Sequence, residues 1–129
     1  MKLVFKNFPL PMHPNARPAA KAALAAGLQG KFYEMVAVLL QNQGSLTDDK
    51  FKELAGQIGL NVDQFVKDLK GRDAELEKRI EDDLLLGSKV NVNGTPTYFV
   101  NGKITHGLPV EIWKSKIEAA LKDAKVAKK

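Results

Sequence analysis

Near residue 90 the hydrophobic pattern of this chain changes from helical spacing to that of a hairpin, and this change limits the folds open to it. Upstream, apolar residues recur at helical spacing, most clearly at Phe32, Met35, Val36, Leu39 and Leu40. Downstream, "TYFV" and "KIT" flank Asn101-Gly102, a pair that favours a type I′ turn in a hairpin. This order of segments, a helical block followed by a hairpin, requires a fold that joins helices to a small sheet.

Five helices are predicted between residues 15 and 87. Asn15, Thr47 and Asp73 are expected to cap three of them, because their side chains can accept free N–H groups of a first turn. Gly71 and Gly87 are expected to end the last two, since glycine adopts the left-handed conformation at helix ends. The apolar stripes are interpreted as core rather than as a cofactor site, and their largest members are Phe32, Met35, Phe51, Phe65 and Trp113.

The two ends of the chain add one strand and one helix to this prediction. Leu3–Phe5 is an uninterrupted apolar run, typical of a strand buried on both faces. The stretch "FPLPMHPNARP" that follows is a connector, because proline removes ladder donors and restricts the residue before it. A final helix is expected from Pro109, since proline is favoured in a first turn.

The composition of these 129 residues excludes several kinds of chemical site. The sequence contains no cysteine, which excludes disulfides, thiolate nucleophiles and cysteine-ligated metals within it. His13 and His106 lie far apart without convergent carboxylates, so no metal site is predicted. No serine lies in a Gly-x-Ser-x-Gly setting and no glycine pattern fits a phosphate loop. No catalytic residue and no cofactor are therefore expected.

Charge gives little indication of a partner. The formal net charge is +5, and the lysine-rich end, Lys122–Lys129, supplies much of it. We interpret that end as a solvated terminus, because a nucleic-acid arm would contain arginines and aromatics. Asp48-Asp49 fits a helix start, and Glu81–Asp83 is interpreted as a solvated helix face. Neither a membrane span nor a signal peptide is predicted.

The stretch "VNGTPTYFVNG", from Val92 to Gly102, resembles the cis-proline loop and hairpin of DsbA-like thiol:disulfide interchange proteins. "KLVFKNFPLPMHPNARPAAKAALAA" resembles the strand and first insertion helix of that family, and "QGKFYEM" the start of its next helix. The resemblance implies one α/β domain with a thioredoxin-like fold of the DsbA type. Residues 1–14 would form strand and connector, 15–87 the helical insertion, and 90–123 the loop, hairpin and C-terminal helix.

The resemblance also implies an activity. Members of the family are oxidoreductases in which one thiol of a Cys-x-x-Cys motif, with a lowered pKa, exchanges disulfides with protein substrates. By position, Thr95 and Pro96 would bind substrate. The Thr95–Pro96 bond would be cis, with the proline beside the reactive cysteine sulfur, and the backbone of Thr95 would pair with an extended peptide. The implied partner is an extended peptide or unfolded protein. The implied location is periplasmic or otherwise extracytoplasmic.

This sequence departs from the family pattern where the thiols should be. The first strand and the Cys-x-x-Cys helix should precede "KLVFK", so the chain is expected to be truncated at its N-terminus and redox-inactive alone. The missing strand would lie between Leu3–Phe5 and Thr97–Val100, whose free backbone groups need partners. Those two could pair directly, a homodimer could exchange a strand, or the missing piece could exist elsewhere. A cysteine-free peptide-binding or chaperone-like module is the alternative function.

Overall fold

The computed structural model describes residues 1–105 and 107–127. The chain divides into two compact units: a hairpin unit, Met1–Phe5 with Val90–Lys129, and a helical unit, Lys6–Lys89. Five helices lie in the helical unit, and two strands and one helix in the hairpin unit. In order they are α1 Ala16–Gly27, α2 Phe32–Gln41, α3 Asp48–Gln57, α4 Val62–Gly71, α5 Asp73–Lys89, β1 Tyr98–Val100, β2 Lys103–Thr105 and α6 Val110–Ala127, with a short 3-10 helix at Gln43–Ser45.

Helix α1 lies at the centre of the helical unit and contacts α2, α3, α4 and α5. Five consecutive residues of α1, "AALAA" from Ala22 to Ala26, are buried. Because four of the five are alanine, neighbouring helices can approach α1 on several sides. The remaining core comes from larger side chains on those helices, the most deeply buried of which are Met35, Leu54, Phe65, Leu76 and Ile80.

The helix ends match the sequence-based expectations at Thr47 and Gly71 and differ at the other positions. Thr47 caps α3 by accepting the Lys50 N–H, while Asn15 occupies the N-cap position of α1 without a side-chain cap bond. The prediction for Asp73 was wrong by one position, since Asp73 is the first residue of α5 rather than its cap. The predicted end at Gly87 was also wrong, because α5 continues to Lys89. Gly87 is buried inside the helix, so it does not serve as a left-handed stop.

Ion pairs join α1 to α5 along one side of the helical unit. Arg17 contacts Glu77 and, at 2.6 Å, Glu81. The Lys21 ammonium lies 2.8 Å from Asp73 and 2.7 Å from Glu77, so Glu77 bridges both cations. Asp73 and Glu77 raise the pKa of Lys21, since hydrogen bonds and charge both favour its protonated form. These contacts fix the register of two helices that are distant in sequence.

The interpretation of Glu81–Asp83 as a solvated face is confirmed for Glu81 and Asp82, which are exposed, and wrong for Asp83, which is half-buried. Glu81 pairs with Arg17, and Asp82 lies 2.8 Å from the Lys78 ammonium within α5. The Asp83 carboxylate accepts the backbone N–H of Asn7 at 2.8 Å and lies 3.3 Å from the Lys6 ammonium. Asn7 lies 76 positions before Asp83 in the chain, so the sequence around Asp83 does not indicate this contact.

The hairpin unit contains an antiparallel sheet of two strands and the helix α6. Tyr98 pairs with Thr105, Phe99 with Ile104 and Val100 with Lys103. The prediction of a strand at Leu3–Phe5 was wrong, because the sheet of the described residues contains only β1 and β2. Leu3 is 71% exposed. An apolar run favours extended structure, but its secondary structure also depends on tertiary context.

Apolar residues of the hairpin unit are incompletely covered. No residue of α6 is buried, and Trp113, predicted as core, is only half-buried. Phe99 and Ile104, opposite each other in the hairpin, are 43% and 50% exposed. A two-stranded sheet alone is marginally stable, so this unit depends on the packing of α6 for much of its order.

Candidate functional site

The candidate site is the loop that leads from α5 into β1. Helix α5 ends at Lys89, and Asn91 turns the chain with a φ of 62°, a left-handed conformation that asparagine tolerates. The Thr95–Pro96 peptide bond is cis, the isomer that the resemblance implies. The side chains of both residues are exposed. The structure thus presents Thr95 and Pro96 together on the surface of the hairpin unit.

A hydrogen bond closes this loop across the cis peptide bond. The Thr97 hydroxyl donates to the Gly94 carbonyl oxygen at 2.7 Å. The bond joins the residues on either side of Thr95 and Pro96, so it holds the ends of the turn together. Thr97 is half-buried, whereas the two residues between the bonded groups face solvent. A short, tied loop of this kind offers its backbone with little conformational freedom.

The hairpin follows the loop directly in the chain and turns at Asn101 and Gly102. Asn101 and Gly102 have φ values of 48° and 79°, which confirms the prediction that both turn residues adopt positive φ. Strand β1 begins two residues after Pro96, so the loop leads directly into the sheet. Thr105, at the end of β2, is the one buried residue of the two strands.

An aromatic contact anchors α6 to β1. The rings of Tyr98 and Trp113 meet edge to face, with centroids 4.7 Å apart and planes inclined by 66°. Such pairs contribute about 0.5–1.5 kcal/mol beyond the area that they bury. Because Tyr98 follows the loop by two residues, this contact helps to hold the end of the loop in place.

The sequence supplies no cysteine thiol to this loop. The sequence has no cysteine, and no other nucleophile with an adjacent base is present in the described loop. Within residues 1–105 and 107–127, no group of three or more histidine, cysteine or acidic side chains could hold a metal ion. His13 is exposed in the connector, and His106 lies outside the described residues.

Family comparison agrees with this geometry. The profile of the DSBA-like thioredoxin domain matches residues 2–122. The chain belongs to this family. The match includes the loop at Thr95 and Pro96 and nearly all the described helices, so the assignment does not rest on one short motif.

Solved structures show the same fold. The chain superposes on the thiol-disulfide exchange protein alpha-DsbA2 from Wolbachia pipientis with a TM-score of 0.82 and 23% identity, covering 90% of this chain and 63% of that one. A thioredoxin-like oxidoreductase from Silicibacter pomeroyi DSS-3 gives a TM-score of 0.68 and 24% identity, covering 95% and 68%. The fold is therefore that of a DsbA-like thioredoxin domain, rich in helices and with a small sheet.

Curated relatives place similar sequence inside much longer proteins. The chain is 40% identical over 108 residues to "Na(+)/H(+) antiporter NhaA 1" of Salinispora arenicola, and 38% identical over 101 residues to a protein of the same name from Mycobacterium sp. strain KMS. These matches cover 83% and 78% of this chain but only 16% of each relative. No helix in the described part of this chain is long and apolar enough to cross a membrane.

The sequence identified Thr95 and Pro96 as candidate site residues but did not indicate the contacts beside them. The bond from Thr97 to Gly94 had a signal, since a threonine three residues after a glycine can close a turn through its hydroxyl. The contact between Tyr98 and Trp113 had none, because the two residues belong to different elements.

Proposed function

We propose that this chain supplies the substrate-binding loop and the helical part of a protein thiol:disulfide oxidoreductase. The observation that carries the proposal is the exposed loop at Thr95 and Pro96, closed by the bond from Thr97 to Gly94, in a member of the DSBA-like family. Backbone groups beside Thr95 would pair with an extended peptide as an added strand does. The substrate class is an extended segment of an unfolded protein.

The chain alone is proposed to be redox-inactive. Disulfide exchange requires attack by a thiolate, and the three sulfur atoms of these residues are methionine thioethers, which form no disulfide. The reactive cysteines would therefore come from polypeptide outside these 129 residues. Sodium–proton exchange, the activity named for the relatives, is not part of the proposal, since the shared segment is 16% of their length.

Two assays test this proposal with the chain as it is. In a dithiol-oxidation assay the chain should give no turnover above buffer, and measurable turnover would contradict redox inactivity. Binding of a fluorescent extended peptide should weaken on Pro96→Ala. Pro109→Ala, which changes an exposed proline at the start of α6, is the matched control and should leave binding unchanged. Equal binding by all three proteins would show that the loop is not the site.

A cysteine-free peptide-binding or chaperone-like module is the second candidate. It is favoured by the combination of an exposed loop and a sequence without cysteine. The intact mass of the protein isolated from its source cells separates the two candidates. A mass of 14.2 kDa would favour the binding module. A mass several kilodaltons higher, with a Cys-x-x-Cys in the additional sequence, would favour the oxidoreductase.

Location and assembly belong to the same proposal. A periplasmic or otherwise extracytoplasmic location follows from the family and from the oxidising conditions that disulfide formation requires. A homodimer formed by strand exchange remains a proposal as well, supported by the exposed apolar residues of the hairpin unit. Cell fractionation would test the location, and light scattering during size-exclusion chromatography would test the dimer.

A further inference from the structure

The hairpin unit contains two Asn-Gly pairs in nearly identical local sequence. Residues 92–95 read "VNGT" and residues 100–103 read "VNGK". Asparagine before glycine is the pair most open to deamidation, because the backbone nitrogen of a residue without Cβ can approach the asparagine side chain. Both asparagines are exposed. Since the two pairs share the residue before them, a large difference in their reactivity would come from the structure around them.

The pair Asn93-Gly94 lies in the loop between α5 and β1, outside any helix or strand. The Thr97 hydroxyl binds the Gly94 carbonyl oxygen, but within residues 1–105 and 107–127 no group accepts a hydrogen bond from the Gly94 N–H. A side-chain carbon added at Gly94 would meet no atom within 4 Å. The backbone nitrogen of Gly94 and the side-chain amide of Asn93 are therefore both unobstructed.

The pair Asn101-Gly102 forms the turn of the hairpin. Val100 and Lys103, on either side of the turn, pair across the two strands, and Asn101 has a φ of 48°. A five-membered ring between the Gly102 nitrogen and the Asn101 side chain requires the backbone to rotate out of this left-handed conformation. Because the paired strands oppose that rotation, Asn101 reacts only when the turn opens. Asn93 has no positive φ and lies between no paired strands.

We propose that Asn93 is a site of spontaneous deamidation, whereas the hairpin protects Asn101 from the same reaction. The Gly94 nitrogen loses its proton to solvent base and attacks the side-chain carbonyl carbon of Asn93. A succinimide ring closes as the bond from that carbon to the amide nitrogen breaks, and ammonia leaves after taking up one proton. Water then opens the ring at either carbonyl. The products are aspartate with the original backbone and isoaspartate with the backbone carried through the side chain.

The reaction changes both the charge and the length of the loop. Residues 90–102 contain no charged side chain, so either product introduces the only carboxylate of this segment. Isoaspartate also adds one carbon to the backbone directly before the turn that Thr97 closes on Gly94. Because Asn93 lies two residues before Thr95, the modified protein is expected to bind extended peptides less tightly. This consequence rests on the proposed function, whereas the reaction itself does not.

Peptide mapping by mass spectrometry tests the site. The protein is incubated in mildly alkaline buffer, once folded and once unfolded in urea, and aspartate and isoaspartate are quantified at both pairs. In the folded protein we expect Asn93 to react at least about fivefold faster than Asn101, because the hairpin turn must open first. In urea the two rates should agree within about twofold, since the local sequences match. Equal rates in the folded protein, or a difference that persists unchanged in urea, would overturn the proposal.

Gly94→Ala tests the attack by the Gly94 nitrogen. The variant should fold, because the added carbon has open space around it and Gly94 has no positive φ. The methyl group restricts the backbone and hinders ring closure, so deamidation of Asn93 should slow at least about tenfold. Gly44→Ala makes the same change at an open position of the helical unit and should leave the rate at Asn93 unchanged. Equal rates at Asn93 in the parent protein and Gly94→Ala would contradict the proposed attack.

Asn93→Gln separates the reaction from its effect on binding. The glutamine amide lies one carbon further from the backbone, so ring closure should be negligible while the charge stays the same. After incubation the parent protein should bind a fluorescent extended peptide at least about fivefold more weakly, the effect of losing one backbone hydrogen bond, and Asn93→Gln should keep its affinity. Equal affinities of fresh and incubated parent protein would overturn the effect on binding. Absence of binding by the fresh protein would instead contradict the proposed function, and the peptide map would still decide whether Asn93 reacts.

Discussion

The Thr97 hydroxyl and the Gly94 carbonyl oxygen meet at 2.7 Å, and their bond encloses the exposed residues Thr95 and Pro96. This contact gives the loop a defined shape that comes from its own side chains. A loop tied in this way requires no partner to hold its ends at a fixed separation. Order in the candidate site is therefore expected in the free protein, before any peptide binds.

Removal of this bond should loosen the loop. Thr97→Val keeps the branched shape and deletes the hydroxyl, and a typical bond of this kind is worth about 1 kcal/mol. We expect a lower free energy of unfolding in urea, followed by the fluorescence of Trp113, and faster hydrogen exchange at the backbone amides of the loop. Thr97→Ser should restore both properties.

Thr95→Val is the matched control for stability. It makes the same change two residues earlier, at an exposed side chain for which the described contacts include no hydrogen bond. The free energy of unfolding should change little. An equal loss in Thr95→Val and Thr97→Val would mean that the bond to Gly94 does not order the loop.

Much of the helical unit could be predicted because its signals are local. The apolar stripe around Met35 and the cap at Thr47 each depend on residues within one or two turns, and both appear in the structure. The turn at Asn101-Gly102 is equally local, since only a few residue types accept its positive φ values. The loop at Thr95 and Pro96 needed family resemblance, because Thr-Pro alone indicates only a bend.

The incorrect predictions, in contrast, concern residues whose structure depends on parts of the chain that are distant in sequence. Leu3–Phe5 has the composition of a strand, but strand formation also depends on tertiary context, which the local sequence does not determine. Asp83 was interpreted as solvated, but its partners Lys6 and Asn7 lie far upstream in the sequence. A pattern was nevertheless present: Arg17 and Lys21 are one helical turn apart, and Asp73, Glu77 and Glu81 repeat at the same spacing. Complementary stripes of this kind on two amphipathic helices indicate that the helices pack side by side.

The close packing of α1 predicts a sharp response to added volume. Ala25 is fully buried in the centre of the helical unit, so Ala25→Leu must displace neighbouring helices. We expect a loss of about 1–3 kcal/mol in the free energy of unfolding, measured by urea and circular dichroism. Ala74→Leu places the same side chain at an exposed position of α5 and should change stability by less than about 0.5 kcal/mol. If both variants were equally stable, the packing around α1 would be looser than the structure describes.

The contact between Tyr98 and Trp113 predicts a spectroscopic change. Trp113 is the only tryptophan of the sequence, so its emission reports on the hairpin unit alone. Tyr98→Leu should shift that emission to longer wavelength as solvent reaches the indole, and should cost about 0.5–1.5 kcal/mol in fluorescence-monitored unfolding. Tyr33→Leu changes a tyrosine of α2 and should leave the emission maximum in place. An unshifted spectrum in Tyr98→Leu would show that the rings do not pack in solution.

The ion pairs of Lys21 predict a pH dependence with a defined sign. Asp73 and Glu77 raise the pKa of Lys21 above its ordinary value of 10.5, so the folded state holds this proton more tightly than the unfolded state. Its contribution to stability is complete below 10.5 and is lost as pH rises through the higher folded pKa. The difference in free energy of unfolding between the parent protein and Lys21→Gln should therefore be constant between neutral pH and about pH 9.5 and shrink above it. Lys78→Gln removes a pair within one exposed helix face and should cost only a few tenths of a kcal/mol, about 0.2–0.5. A difference for Lys21→Gln that stayed constant to the highest measurable pH would show that Asp73 and Glu77 do not hold its proton.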